Sequence, residues 1–328
     1  MDWRLTGFST KTDTQVLPAS RHSNTHEYRP IAVDGRMADE GRVLVTYTAI
    51  GILLALISAV TTASAHALLK AGKDKLAVRA LIGAVGTIAL APACFLVPLP
   101  TTSLLPWLLT ASMLHTTYQL VLIRAYEAND FAVAYPVARG IAPIATAALG
   151  VALLGDEVTL GGFVGVGLVS AGILMIAVGR TIAASGLIAA GIAGLLTTTY
   201  TIVDAHAIRL APSAMTFVAW FFLLDGLIMF PIFAILRRGQ VASLLRSEGR
   251  QGLMAGVTSL VSFGSALMAL RLAPVGIVSA LRETSVVFGM LIAAFVLREH
   301  VDRRRAGAAI VIAVGAILIL VTAASSAV

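Results

Sequence analysis

Cysteine is almost missing from this chain: Cys94 is the only one in 328 residues. That excludes a disulfide framework, a CxxC redox pair and any zinc site built on thiolates. Charge is scarce as well, at 12% of residues, where a soluble domain carries about a quarter. No two His, Asp or Glu residues share a helix at a metal-site spacing such as HExxH, so no metal is expected. Nor is there a nucleophile with a base beside it, or a stretch between apolar runs long enough for a soluble catalytic domain. An enzyme and a bound cofactor are therefore not expected. What the chain has in abundance is apolar residues, 58% of the total. Such a composition belongs in lipid. The net charge of +7 raises nucleic acid as a partner, but the basic residues fall in short clusters between apolar runs rather than along one face, and read as loop charges.

Residues 1 to 42 are rich in Ser, Thr, charge and turn formers and lack any apolar period, the composition of a disordered tail. Met37 stands six residues before the first long apolar run, so the segment ahead of it is expected to be dispensable, as from a start codon set too early. From Val43 on, apolar runs bounded by charge, Pro or Gly predict ten membrane helices: 43 to 69, 78 to 98, 104 to 124, 131 to 153, 159 to 179, 185 to 207, 214 to 236, 251 to 271, 275 to 297 and 306 to 324. The separators are short and basic, with four arginines between Arg237 and Arg250 and four more between Arg298 and Arg305. Residues 325 to 328 form a short C-terminal tail.

The fourth and fifth spans can be laid on the ninth and tenth. Moving 143 residues along brings Arg139 onto Arg282, Gly172 onto Gly315 and Asp156 onto Glu299. Polar clusters end the first helix of each half: Thr61, Thr62, Ser64 and His66 in one, Thr197 to Tyr200 and Asp204 in the other. Because five is odd, the second half enters the membrane from the opposite side. The fold expected is therefore all-α, ten transmembrane helices in two inverted five-helix repeats, 43–180 and 181–324, with a site near the midplane between them.

The stretch YPVARGIAP from Tyr135 to Pro143, followed by LLGDEVTLGGFVGVGLVSAGI to Ile173, resembles the EamA-type repeat of the drug/metabolite transporter superfamily. The second half is similar again, as ALRETSVVFGMLIAAFVLREHVDRRRAGAAIVIAVGAIL from Ala280 to Leu318. The resemblance covers residues 43 to 324. It implies a secondary carrier with ten helices around a central cavity, often an exporter, and leaves the substrate open among amino acids, sugars, nucleotide derivatives and organic cations. The acidic turn reads Asp156-Glu157 in the first half but Arg298-Glu299 in the second, so the acidic position of the first is ambiguous by one residue.

A charge at the bilayer centre costs at least about 2.5–3.5 kcal/mol, so buried ionisable residues need a partner or a wet cavity. Arg139 lies eight residues into its span and Arg282 seven into its own, which at about 1.5 Å per residue is close to the midplane. Approaching from opposite sides, two arginines could clamp a carboxylate or phosphate; a structural salt bridge is the alternative for each. The opposing charges are Asp204, Asp225 and Glu283, as proton carriers or counter-ions. Tyr200 and Asp204 share a helix face, as do His115, Tyr118 and Gln119 on the third span, and Tyr135 adds a phenol near Arg139. Pro136 and Pro143 bracket Arg139 and are expected to kink its helix. Gly161, Gly165, Gly307 and Gly315 read as close helix packing, with a dimer face as the alternative.

Loops after the odd-numbered spans hold most of the Lys and Arg (Lys70, Lys73, Lys75, Arg79, Arg124, Arg180 and the two arginine clusters), whereas Arg209 and Arg271 alone fall in the others. This favours cytoplasmic odd loops with both termini outside, against the pull of Arg36 and Arg42. The reading carried forward is a multi-pass protein of the inner (plasma) membrane, monomer or homodimer, that exports a small polar metabolite such as an amino acid or organic anion by alternating access, with proton coupling open. A membrane scaffold or assembly subunit is the rival, but would not need matched midplane charges in both halves.

Overall fold

The computed structural model describes residues 37–127, 131–177, 184–291 and 303–325; within these, the side chains at 37–46, 70, 124–127, 131–138, 177, 184–187, 189–190 and 324–325 lie outside the description. The chain divides into Met1–Glu40 and Gly41–Val328, and the architecture below is that of the second. It is helical, with no strand among the described residues. In order come α1 (Met37–Ala71), α2 (Lys75–Leu90, followed by a 3-10 turn at Pro92–Phe95), α3 (Leu105–Glu127), α4 (Phe131–Leu154), α5 (Leu160–Ala177), α6 (Ala184–Leu210), α7 (Ala214–Leu236), α8 (Val241–Leu272), α9 (Val275–Glu283), α10 (Ser285–Leu291) and α11 (Arg303–Ser325).

Local chemistry sets several of these boundaries. The Asp74 carboxylate accepts from the Ala77 amide at 2.8 Å and caps α2, and the Ser213 hydroxyl accepts from the Thr216 amide at 3.0 Å and caps α7. Gly155 takes φ +68 in the turn that ends α4, a conformation that side chains other than glycine's rarely adopt.

Three expectations need correcting. Residues 37–42 are helix, not tail, since α1 starts at Met37. The basic stretch 237–250 is mostly helical: α8 starts at Val241 because its first turns are tied to the α1–α2 turn, where the buried Glu248 accepts from the Lys73 amide at 3.3 Å and Gln251 donates to the Leu68 carbonyl at 2.7 Å. The ninth span is broken. The Thr284 amide bonds back to the Leu281 carbonyl at 3.1 Å and its hydroxyl donates to the same oxygen at 2.6 Å, a 3-10-type closure that separates α9 from α10. The rest of that span, 292–302 with Glu299, lies outside the described residues, as do 1–36.

Five helices among the described residues are long and apolar enough to cross a membrane: Tyr47–Leu69, Lys75–Phe95, Ala214–Leu236, Val241–Leu272 and Arg303–Ala323. Arg139–Leu154 and Leu160–Ile176 are shorter apolar helices. The third predicted span is less apolar because His115 to Gln119 puts five polar side chains in a row. Exposed apolar residues repeat at helical spacing, Ile50, Leu53, Ile57 and Val60 on α1 and Ile310, Val314, Ile317 and Val321 on α11. Stripes of this kind face lipid in a multi-pass membrane protein.

Inside, α5 packs along α11, α2 against α7 and α8, and α4 against α6 and α9. Small residues bring α5 and α11 together: a Cβ on Gly165 would lie 2.9 Å from the Gly315 carbonyl oxygen, and one on Gly315 would lie 2.7 Å from the Gly165 oxygen. Gly161 packs against Thr322 in the same seam, while Gly307 faces open space.

Candidate functional site

The helices enclose a polar cavity with about 110 Å³ open to the centres of water-sized molecules. Thr62 and His66 of α1, Arg79 of α2, and His115, Tyr118 and Gln119 of α3 line one part of it. Arg139, Tyr200 and Arg282 line another, and Phe221, Phe222 and Asp225 of α7 with Ser259, Ser262 and Phe263 of α8 complete the wall. Arg139 and Arg282 thus open onto one cavity.

Their electrostatic situations differ. Arg139 is buried, and its Nε donates to Glu283 Oε2 at 2.7 Å. Arg282 has no carboxylate partner among the described residues. Its Nε donates to Ser58 Oγ at 3.2 Å, and its guanidinium carbon stands 5.8 Å from the centre of the Phe263 ring. Ser58 is itself fixed, because Ser262 Oγ donates to the Ser58 carbonyl at 3.1 Å and shares a 2.6 Å hydrogen bond with Thr62 Oγ1. With Nε occupied, the Nη1 and Nη2 ends of Arg282 form the planar pair of donors that matches a carboxylate or phosphate.

Two further buried pairs meet the cavity. His115 Nε2 lies 2.8 Å from Asp204 Oδ2, and the His115 ring is packed by Tyr200 at 4.1 Å, Phe263 at 4.7 Å and Phe221 at 5.0 Å between centroids. Asp204 itself stands behind His115 rather than on the cavity wall, so the shared face of Tyr200 and Asp204 is split between wall and second layer. Arg79 Nη2 donates to Asp225 Oδ1 at 2.6 Å. The Tyr118 hydroxyl, Asp204 Oδ1 and the Nε and Nη1 of Arg79 are buried with no hydrogen-bond partner among the described residues.

Of the residues singled out in the sequence, the side chains of Tyr135 and Pro136 lie outside the described residues. Pro143 is buried in α4, which runs without interruption from Phe131 to Leu154. Arg79 was counted with the loop charges; it is buried one turn into α2. Its position inside the apolar run Leu76 to Gly83 was the available signal. Ser58, Ser262 and Phe263 carried no signal, since an isolated hydroxyl or phenyl in an apolar helix is ordinary.

Among the described residues, contacts between basic and acidic side chains that join residues before 181 to residues after it include the three above, Asp156 with Arg209, and Asp74 with Arg237 at 2.7 Å. Breaking a buried pair by removing one partner costs about 3–5 kcal/mol, so the buried Arg79–Asp225 and Arg139–Glu283 pairs fasten helices from before and after residue 181 to one another.

Comparison with known proteins agrees with a helical carrier. Residues 184–321 match the family model described as the EamA-like transporter family. A protein of known crystal structure superposes with a TM-score of 0.65 at 19% identity, over 85% of this chain and 98% of its own, a likeness of fold alone. No curated protein matches the sequence. The match runs from the start of α6 into α11 and includes Arg282, and it is consistent with the drug/metabolite transporter superfamily.

Proposed function

We propose that this protein is a secondary carrier that exports a small anionic or amphoteric metabolite across the inner (plasma) membrane by alternating access. The observation that carries the reading is Arg282: a cation without a carboxylate partner among the described residues, held by Ser58, on the wall of the cavity. A half-buried charge in that condition is costly unless water or a ligand completes it. The aromatic wall of Tyr118, Tyr200, Phe221 and Phe263 would receive the apolar part of the same molecule.

Two inverted five-helix halves, 43–180 and 181–324, are part of the proposal. It is supported by the pairing of helices that hold equivalent places, α2 with α7, α4 with α9 and α5 with α11, as expected around a pseudo-two-fold axis. By the distribution of Lys and Arg, the α1–α2 turn is cytoplasmic, so an exported substrate would load from the side towards which the cavity extends. The His115–Asp204 pair is the proposed proton carrier, with Glu283 as its rival.

The test is purified protein in proteoliposomes, guided by metabolite profiles of cells and medium from a deletion strain and an overexpressor. Counterflow of an organic anion that Arg282→Ala abolishes is the expected result. Normal metabolite profiles in both strains, with no counterflow of any anion they contain, would sink the carrier and favour a scaffold.

A further inference from the structure

The cavity occupies only part of the depth of the bundle. On α1 its lining begins at Thr62 and continues to Leu69, and on α2 it comprises Arg79 and Ile82, so it extends towards the end where α1 finishes and α2 starts. At the opposite end the interior is packed solid, with Leu104, Leu108, Ile208, Phe217 and Leu270 fully buried.

A polar cluster tops this packed end. Arg209, in the last turn of α6, donates to the Leu270 and Ala273 carbonyls where α8 finishes, at 3.1 and 3.2 Å. Arg271, in the last turn of α8, donates to the Ile208 and Ala211 carbonyls where α6 finishes, at 2.7 and 3.1 Å. Each arginine satisfies carbonyls that the other helix leaves free at its end, so α6 and α8 are clasped reciprocally. One side chain from before residue 181 joins this clasp. Asp156, from the turn between α4 and α5, receives Arg209 Nη1 at 2.5 Å and Nη2 at 3.3 Å, and accepts the Val275 amide at the start of α9 at 2.5 Å. Beneath it α4 and α9 are in backbone contact: a Cβ on Gly276 would collide with Ala147, and one on Gly150 with Val275.

We propose that Asp156 is the latch of a gate: its bonds to Arg209 and to the α9 amide close this face of the bundle, and they part when the cavity opens here. The inference rests on the carrier reading above, which needs a face that opens in turn. The chemistry suits a contact made and broken repeatedly. Arg209 and Asp156 are near the surface, with side chains 13% and 7% exposed, and every partner in the cluster is a group that water can replace. The α6–α8 clasp stays intact in the opening, because its bonds lie within one half; Asp156 alone crosses.

The experiment reads accessibility, not transport, so the failure of the gate and the failure of the carrier can be told apart. In the full chain with Cys94→Ala, a reporter Ala111→Cys is placed in the packed end, and a membrane-impermeant maleimide is applied to either face of sealed vesicles. Asp156→Asn should raise labelling from the latch face by about tenfold, a one-decade shift in the closed-to-open ratio. Gly276→Ala, which forces α9 off Ala147 without touching charge, should raise labelling from the same face and serves if the aspartate variant does not fold. Parent-level labelling in Asp156→Asn, or in Gly276→Ala where only that variant folds, would overturn the gate and leave the pair a static brace.

Discussion

Arg139 and Arg282 occupy equivalent places in the two halves of the sequence and end in opposite electrostatic conditions. The difference arises one residue on. Arg282 is followed by Glu283, and that carboxylate reaches across to Arg139 at 2.7 Å; Arg139 is followed by Gly140 and has nothing to give back. The second half therefore supplies an anion and a cation where the first supplies a cation only, and Arg282 is left without a carboxylate partner among the described residues. The helices differ in the same sense: α4 runs unbroken through Pro143, whereas its counterpart breaks at Thr284, directly after the Arg-Glu pair. Two arginines that line one cavity thus differ in their partners, Arg139 being paired with Glu283 and Arg282 being held by Ser58.

The sharpest way to break this comparison is to remove the shared carboxylate. Glu283→Gln leaves the Arg139 guanidinium buried without its 2.7 Å carboxylate partner, and is expected to cost about 3–5 kcal/mol of stability. Detergent melting and membrane abundance should both fall. Pairing it with Arg139→Met should recover most of the loss, since no charge then remains to be buried; failure of the double variant to recover would remove Arg139–Glu283 from the account of folding.

The reciprocal variant acts on binding. Arg282→Lys keeps the charge and loses the planar fork, so anion affinity should drop by about 10- to 100-fold, the equivalent of one charge-assisted hydrogen bond, with the melting temperature nearly unchanged. A large loss of stability with normal affinity in the surviving protein would exchange the roles of the two arginines.

How much of this was legible in the sequence follows from what each feature depends on. The helices were, because a run of apolar residues closed by charge is a local property: α3, α4 and α7 match their predicted spans within three residues at either end. That Arg139 and Arg282 lie within helices was legible for the same reason. Their partners were not, since Arg139–Glu283, Arg79–Asp225 and His115–Asp204 join positions 144, 146 and 89 residues apart. Arg79 shows the limit most clearly. Counted by its neighbours it belongs to a basic loop, and only the helix cap at Asp74 and the nearness of Asp225 turn it into a buried residue.

His115 and Asp204 come next in expected effect. Asp204→Asn keeps a hydrogen-bond acceptor for His115 but removes the charge, so transport driven by a pH gradient should be lost while exchange of labelled for unlabelled substrate continues. Measured in the same vesicles, unchanged gradient-driven transport would move the proton to Glu283 or to another ion.

The smallest effect is expected at Ser58, and it tests how Arg282 is aimed. Ser58 is fully buried, its hydroxyl is the one acceptor for Arg282 Nε among the described residues, and its backbone carbonyl accepts from the Ser262 hydroxyl, which pairs in turn with Thr62. Ser58→Ala deletes that acceptor without altering charge or volume much, so the guanidinium keeps its place over Phe263 but gains freedom to turn. One neutral-to-charged hydrogen bond is worth about 1.5–3 kcal/mol at most, and part is regained by water in the cavity, so a loss of about fivefold in substrate affinity is expected rather than the larger loss of Arg282→Lys. Ser58→Thr, which restores the hydroxyl, should recover the affinity where the added methyl is accommodated. If Ser58→Ala instead lowers the melting temperature and leaves affinity alone, the serine is a strut between α1 and α8, and the orientation of Arg282 must come from Phe263 and the α9 backbone.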